Sequence, residues 1–388
     1  MKNYLRKQMI FPLCLFAVLT GCIEGTNETI ESAYQLPMLQ EPAYKFARNG
    51  ESSVNLMECE FLKSPVDIIF SRYLNHARVG TPEEYSEMLE FYEKGEFGLK
   101  PMEEIANSTT HSGSRSQVLQ DFTDWFEGSK RISQNRRNEA AKGRIGYVGN
   151  NYGDKDIFFI DERGIAVAEV YRFAAMGALY LDKILNVHLN KEVLFETGVR
   201  EEHELTHLLP GHNYTELEHH WDLAYGYYGF WKSLAQSDGL PALRDSHLRI
   251  FHSFVWGRTY METSCYEDIG LRVDTIRHEL SRVVAVRAMH LLTGANTFSN
   301  LRENPKYAFR LLSQAYGLIY ASQFARNAQG DPFLTYDETR QLLHVLERDG
   351  GLWDRQRLMG SEQDEGSLRQ LAARFGAKFG ISLKEIEK

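Results

Sequence analysis

The sequence predicts an all-α protein whose helices pack as a bundle, and three observations carry that prediction. From about Pro65 onward, apolar residues recur at helical spacing along most of the chain. The late segments are separated by helix stops, Gly330-Asp331-Pro332 and Gly350-Gly351. Strand-type patterning is confined to one glycine-rich stretch, 143–160, which reads as an irregular segment or a short hairpin.

The elements follow in chain order. Residues 1–21 have the form of an export signal: Lys2, Arg6 and Lys7, then an apolar run from Met9 to Leu19, then Thr20-Gly21 before Cys22. The run is too short for a permanent membrane span. A cysteine directly after that small pair is the acceptor pattern for a diacylglyceryl group, so Cys22 is expected to be the lipidated first residue of the mature chain. Acyl chains contribute roughly 0.8 kcal/mol per buried CH₂, which makes a multiply acylated Cys22 a lasting membrane anchor. Ile23 occupies the position where inner-membrane retention signals usually place Asp, which favours the outer membrane. Residues 22–45 are polar and read as a flexible tether. The helical body is then 46–388, either as one large domain or as two packed subdomains, 46–150 and 151–388.

Within the body, the stretch Pro65–Tyr92 is helical and is divided at Gly80-Thr81-Pro82, with Thr81 as N-cap and Pro82 at the first helical position. A long charged helix is expected over 115–140. A mostly apolar one runs from Ile165 to about Leu189, and another spans Thr215 to about Ser233, opened by a T-x-x-E capping box of Thr215 and Glu218. Further helices are expected at 240–262, 270–293, 304–326, 336–348 and 366–376.

Composition narrows the function classes. A net charge of −9 argues against a nucleic-acid partner. After removal of Cys14 with the leader and lipidation of Cys22, only Cys59 and Cys265 remain, either as a disulfide or as two buried thiols. The chain shows no nucleophile triad, phosphate loop or nucleotide fingerprint.

Five of the thirteen histidines lie between His203 and His220. His203-Glu204-Leu205-Thr206-His207 matches H-E-x-x-H, which on a helix sets two zinc ligands on one face with Glu204 as general base. Against this, Pro210 ends any helix at Leu209, and the position of a third metzincin-type ligand is Asn213. A solvated charged loop is the competing reading. The second segment, Asn213 to Tyr228, carries Leu217, Trp221, Ala224, Tyr225, Tyr228 and then Trp231 as a core-facing stripe. His219 and Asp222 lie one turn apart on another face, a spacing suited to a His–carboxylate pair or to two ligands of one metal. A core helix with hydrogen-bonded histidines fits the same pattern. Glu169 and Arg172 interrupt the apolar helix Ile165–Leu181, where buried charges require partners.

The segment Glu218–Gly229, E-H-H-W-D-x-A-Y-G-Y-Y-G, resembles the signature of an uncharacterised bacterial lipoprotein family, a domain of unknown function common in Bacteroidetes and some marine bacteria. Tyr44-Lys45-Phe46, Gly146–Gly164, Met176-Gly177-Ala178, Asp182–Asn186 and Leu311–Tyr320 resemble other parts of its pattern, so the likeness covers most of the mature chain. In that pattern a Glu follows the Asp of HHWD, whereas this chain has Leu223; Glu169 and Phe173 likewise stand where Gln and Lys are usual. The family is itself distantly similar to imelysin-like proteins, helical envelope proteins tied to iron uptake. That resemblance implies two helical lobes, a non-enzymatic role in iron or haem handling and a partner in envelope uptake. The imelysin G-x-H-x-x-E motif is absent; His219-x-x-Asp222 is its nearest analogue, and His344-x-x-Glu347 has the spacing on a surface helix. The expected ligand site is therefore His219 and Asp222 with Glu218, His220 and Glu169, facing a cleft. The alternatives are a zinc peptidase built on His203, Glu204 and His207, or a structural lipoprotein with no ligand site.

Overall fold

A computed structural model describes residues 43–75, 82–154 and 156–386; Cys22, the leader, most of the tether and Thr81 lie outside the described residues. The protein is an all-α helical bundle with two small antiparallel hairpins. The first hairpin joins β1 (Ala47–Arg48) to β2 (Glu51–Ser52) through Asn49-Gly50, whose φ values of 54° and 83° are the left-handed pair that a tight hairpin turn demands. The second joins β3 (Gly146–Val148) to β4 (Phe158–Ile160), within the segment where the sequence signal fell.

The first helix, α1 (Met57–Ile68), starts earlier than the periodicity from Pro65 suggests. The Asn55 side chain accepts from the Met57 amide, and Glu58 and Glu60 sit in the first turn, where the helix dipole favours acids. Pro65 is inside the helix rather than at its start. The larger helices that follow are α2 (Pro82–Lys94), α3 (Arg115–Gln134) and α4 (Val167–Ala175). Two π-helical stretches, Met176–Leu181 and Lys183–His188, continue α4. Then come α5 (Thr197–Glu204), α6 (Glu216–Tyr228), α7 (Ser246–Met261), α8 (Tyr266–Thr293), α9 (Ala295–Glu303), α10 (Pro305–Ala321), α11 (Tyr336–Glu347) and α12 (Leu368–Lys378).

Helix α8 is the axis of the bundle. At 28 residues it is about 42 Å long, and α7, α10 and α12 all pack against it. Its buried residues lie on nearly every face, the pattern of a central helix rather than an amphipathic surface one. Helix α10 in turn packs against α4, and the approach is close because of Gly317: a side chain there would meet the Phe173 Cβ at 2.7 Å and the Val170 carbonyl at 2.9 Å. One hydrophobic cluster extends from Cys59 to Ile386. Cys59 and Cys265 are both free and buried, which decides between the two options left open for them. Among the described residues no helix is long and apolar enough to cross a membrane.

Candidate functional site

Helix α6 organises the polar interior. Its start is the capping box read from the sequence: Thr215 Oγ1 accepts from the Glu218 amide, and the Glu218 carboxylate accepts from the Thr215 amide. Its apolar stripe is buried as expected, with Leu217, Trp221, Ala224, Tyr228 and Trp231 fully covered. Trp221 lies over Gly257 of α7, where any side chain would overlap its ring, and its Nε1 donates to the Phe254 carbonyl at 2.9 Å.

One face of α6 carries Glu218 and Asp222, one turn apart and 2% and 0% exposed. Arg258 from α7, 1% exposed, bridges them, with Nη1 2.8 Å from Glu218 and Nε 3.4 Å from Asp222. Arg48 from β1 grips the other side of Glu218 through two hydrogen bonds of 2.9 Å, a bidentate arrangement. The Tyr44 hydroxyl donates to Asp222 Oδ1 at 2.5 Å, and the Tyr44 ring stacks on Tyr225 with centroids 3.7 Å apart. The Phe46 ring lies under the Arg258 guanidinium at 5.0 Å, and Arg258 also donates to Ser53 Oγ. The segment Tyr44–Ser53 is thus strapped onto α6 and α7 by two carboxylates, two arginines and two aromatic rings. Burial alone would raise the Glu218 pKa, but Arg48, Arg258 and the Thr215 amide hold it below the ordinary value. Asp222 is pushed up to about 7 by burial, against the pull of Arg258, and its Oδ2 has no partner among the described residues.

The opposite side of α6 meets the π-helical stretch Lys183–His188. His220 Nδ1 and His188 Nδ1 are 3.0 Å apart, one donating to the other. His188 Nε2 is buried with no partner among the described residues. The tautomer in which His188 Nδ1–H donates is therefore the less costly one, because it leaves a bare lone pair and not a bare N–H. Burial drives the His188 pKa well below its ordinary value, helped by His220 and Lys183. Next to this pair, Lys183 bonds Glu104 at 2.6 Å, and Tyr227 donates to Glu58 at 2.9 Å. π-helical turns often mark functional positions; here they set Lys183 and His188 beside α6.

The five side chains expected to share a cleft are therefore divided among four places. Glu218 and Asp222 join the strap. His220 faces His188. His219 stacks on Tyr214, with centroids 4.6 Å apart, and does not pair with Asp222; burial lowers its pKa to about 4. Glu169 is on α4, bonded to Arg310 at 2.6 Å and Gln314 at 3.1 Å. His219 and Asp222 diverge because positions three apart on a helix are about 60° off alignment, enough for one to face Tyr214 and the other Arg258.

The H-E-x-x-H segment is also arranged differently from its motif. Helix α5 ends at Glu204, and Thr206 takes a left-handed φ of 56°, so His203 and His207 do not share a helical face. His203 is buried, its two ring nitrogens bonded to Thr215 Oγ1 at 2.8 Å and the Met261 carbonyl at 2.9 Å. His207 is exposed and faces Glu202 at 2.7 Å. Glu204 is exposed. Among the described residues no group of three or more His, Cys, Asp or Glu side chains is placed to hold a metal ion. In the other H-x-x-E pair, His344 is exposed, but Glu347 is half-buried and bonded to Tyr316 and Arg340.

Sequence reasoning missed Arg48, Arg258 and His188 as members of these networks. Arg258 had a signal: it lies four residues after Phe254 and three before Met261, in the buried stripe of α7. A charge in such a stripe requires a counter-charge.

No curated protein and no solved structure matches this sequence. The family model described as Domain of unknown function (DUF4856) matches residues 41–382, most of its length, and the chain belongs to that family.

Proposed function

We propose that this chain is a lipid-anchored envelope protein that works by binding rather than by catalysis. The observation that carries the reading is Leu19-Thr20-Gly21-Cys22 behind a charged and apolar leader. The described chain begins at Ala43, beside the strap on α6. Twenty residues separate it from Cys22, so a lipid on Cys22 would allow the helical body a reach of roughly 70 Å at full extension. The outer membrane is the favoured location, from Ile23 following Cys22. The non-catalytic reading is supported by the polar groups around α6: Glu218, His203, His220 and one oxygen of Asp222 spend their hydrogen bonds on the protein itself. The iron or haem role implied by the imelysin resemblance would need a donor set other than His219 with Asp222, since these face different neighbours.

The test is expression of the full chain in a Gram-negative host fed a radiolabelled fatty acid. The expected result is label in the protein, recovery in the outer-membrane fraction, and loss of both in Cys22→Ala. An unlabelled protein whose fractionation is the same with and without Cys22 contradicts the proposal.

A further inference from the structure

A cleft of about 320 Å³ lies between the N-terminus of α3 and that of α11. At its base is Arg326, 2% exposed, with His111 beside it. The Arg326 guanidinium donates to the carbonyls of Gln323 and Ala325 and to His111 Nε2 at 3.0 Å. Its Nε has no partner, and among the described residues no carboxylate lies within ion-pair distance of it. Asp182 and Asp331 are the carboxylates whose charge it feels; Asp182 is committed to Ser108 and Asn186, and Asp331 is exposed and beyond ion-pair distance. A second buried guanidinium, Arg277, adds positive charge to the same surroundings. A buried cation left without a counter-ion is costly, and proteins normally pair it.

The rim supplies a second, independent feature. Helix α3 is 20 residues long, its N-cap Ser114 makes no capping bond, and its first turn contains no acid. Among the described residues the amides of Arg115, Ser116 and Gln117 have no acceptor. An uncapped helix start presents N–H groups and the positive end of a dipole. The one carboxylate on the rim is the exposed Asp337, in the first turn of α11. A larger cleft, about 530 Å³ around Phe298, Met359 and Ile386, has no buried charged residue in its wall.

We propose that this cleft binds a small oxyanion, a phosphate or carboxylate group, between Arg326 and the free first turn of α3. The site is separate from α6 and does not depend on the lipid anchor.

The experiment is titration of the purified mature protein with sodium phosphate and, in a second arm, sodium succinate, followed by calorimetry and by thermal melting. Sodium chloride at matched ionic strength is the reference. Two variants accompany the wild type. Arg326→Gln removes the buried cation. Gly113→Glu brings a carboxylate to the rim at a position where an added Cβ meets nothing within 4 Å, so it tests the site without disturbing the interior. The expected result is saturable binding of one or both anions, weakened at least tenfold in both variants; the arm that binds identifies the group. Absence of saturable binding in both arms overturns the proposal. So does an affinity left unchanged by Gly113→Glu, whether or not Arg326→Gln folds.

Discussion

Arg258 and Arg326 are both buried arginines in the same bundle, yet their surroundings are opposite. Arg258 has Glu218 at 2.8 Å and Asp222 at 3.4 Å, with a second arginine, Arg48, sharing the load on Glu218. Arg326 has carbonyls, a neutral histidine and an idle Nε. The first site is neutralised from within and sealed by its own N-terminal strap. The second stands at an open cleft with its charge unmatched. The difference separates a polar group that builds the fold from one that waits for something outside it. The histidine-rich signature helix belongs to the first kind, and the cleft, which no motif marks, to the second.

The largest effect is expected from Arg258→Met. It removes the buried cation that bridges two buried carboxylates, leaving Glu218 to Arg48 and Asp222 to the Tyr44 hydroxyl, and breaking a buried pair in this way typically costs about 3–5 kcal/mol. Arg326→Met in anion-free buffer removes only bonds to neutral acceptors, each contributing about 1 kcal/mol, and also removes an uncompensated charge. Denaturant unfolding of the two variants should therefore show Arg258→Met as clearly the more damaging. Equal losses would erase the comparison.

Next is Tyr44→Phe. At pH 8, where Asp222 is ionised, it deletes the hydroxyl that bonds Asp222 Oδ1 while leaving the stack on Tyr225, and hydrogen bonds to charged groups are worth about 1.5–3 kcal/mol. The same unfolding experiment should find a loss in that range, together with faster proteolysis at the strap. An unaltered cleavage rate would mean that the strap is held by its rings and by Arg48 alone.

The smallest effects are in pH dependence, and the two regions should differ in sign. Asp222 has a folded pKa of about 7 against an ordinary 3.8. The folded state therefore keeps a proton that the unfolded chain has lost, and this contribution is full below about 4 and fades as pH rises through 7. His111 is pushed down to about 3, first by burial and then by Arg326. Its contribution is present above about 6.5 and fades as pH falls towards 3. Between pH 8 and pH 5, Asp222→Asn should steepen the loss of stability on acidification, and His111→Asn should flatten it, by up to about 1.4 kcal/mol per pH unit crossed. Thermal melts at a series of pH values read both slopes; slopes of the same sign would show that one site is misread.

Much of this was legible from local sequence. The all-α bundle, the Thr215–Glu218 capping box, the 143–160 hairpin and the core stripe of α6 all follow from short-range periodicity and capping chemistry. Asn55 ahead of Glu58, and Asn49-Gly50, were equally local signals for the start of α1 and the first hairpin. The polar networks were not legible in the same way. Spacing along α6 shows which residues share a face but not what the face meets: Tyr44 is 178 positions from Asp222, and His111 is 215 from Arg326. Arg326, just past a helix end, reads locally as a cation complementing the helix dipole, and only the tertiary structure shows it buried with no carboxylate among the described residues at ion-pair distance. The H-E-x-x-H match illustrates the converse. Its spacing is local, but its chemistry requires a helix that ends at Glu204, before His207 is reached.

The contrast between the two arginines is most directly tested by a crystal of the mature protein soaked in selenate, an oxyanion whose anomalous scattering fixes its position. The account predicts a peak in the cleft beside Arg326 and the first turn of α3, with none at Arg258. A cleft without a peak at full surface occupancy, or a peak at Arg258, would contradict it.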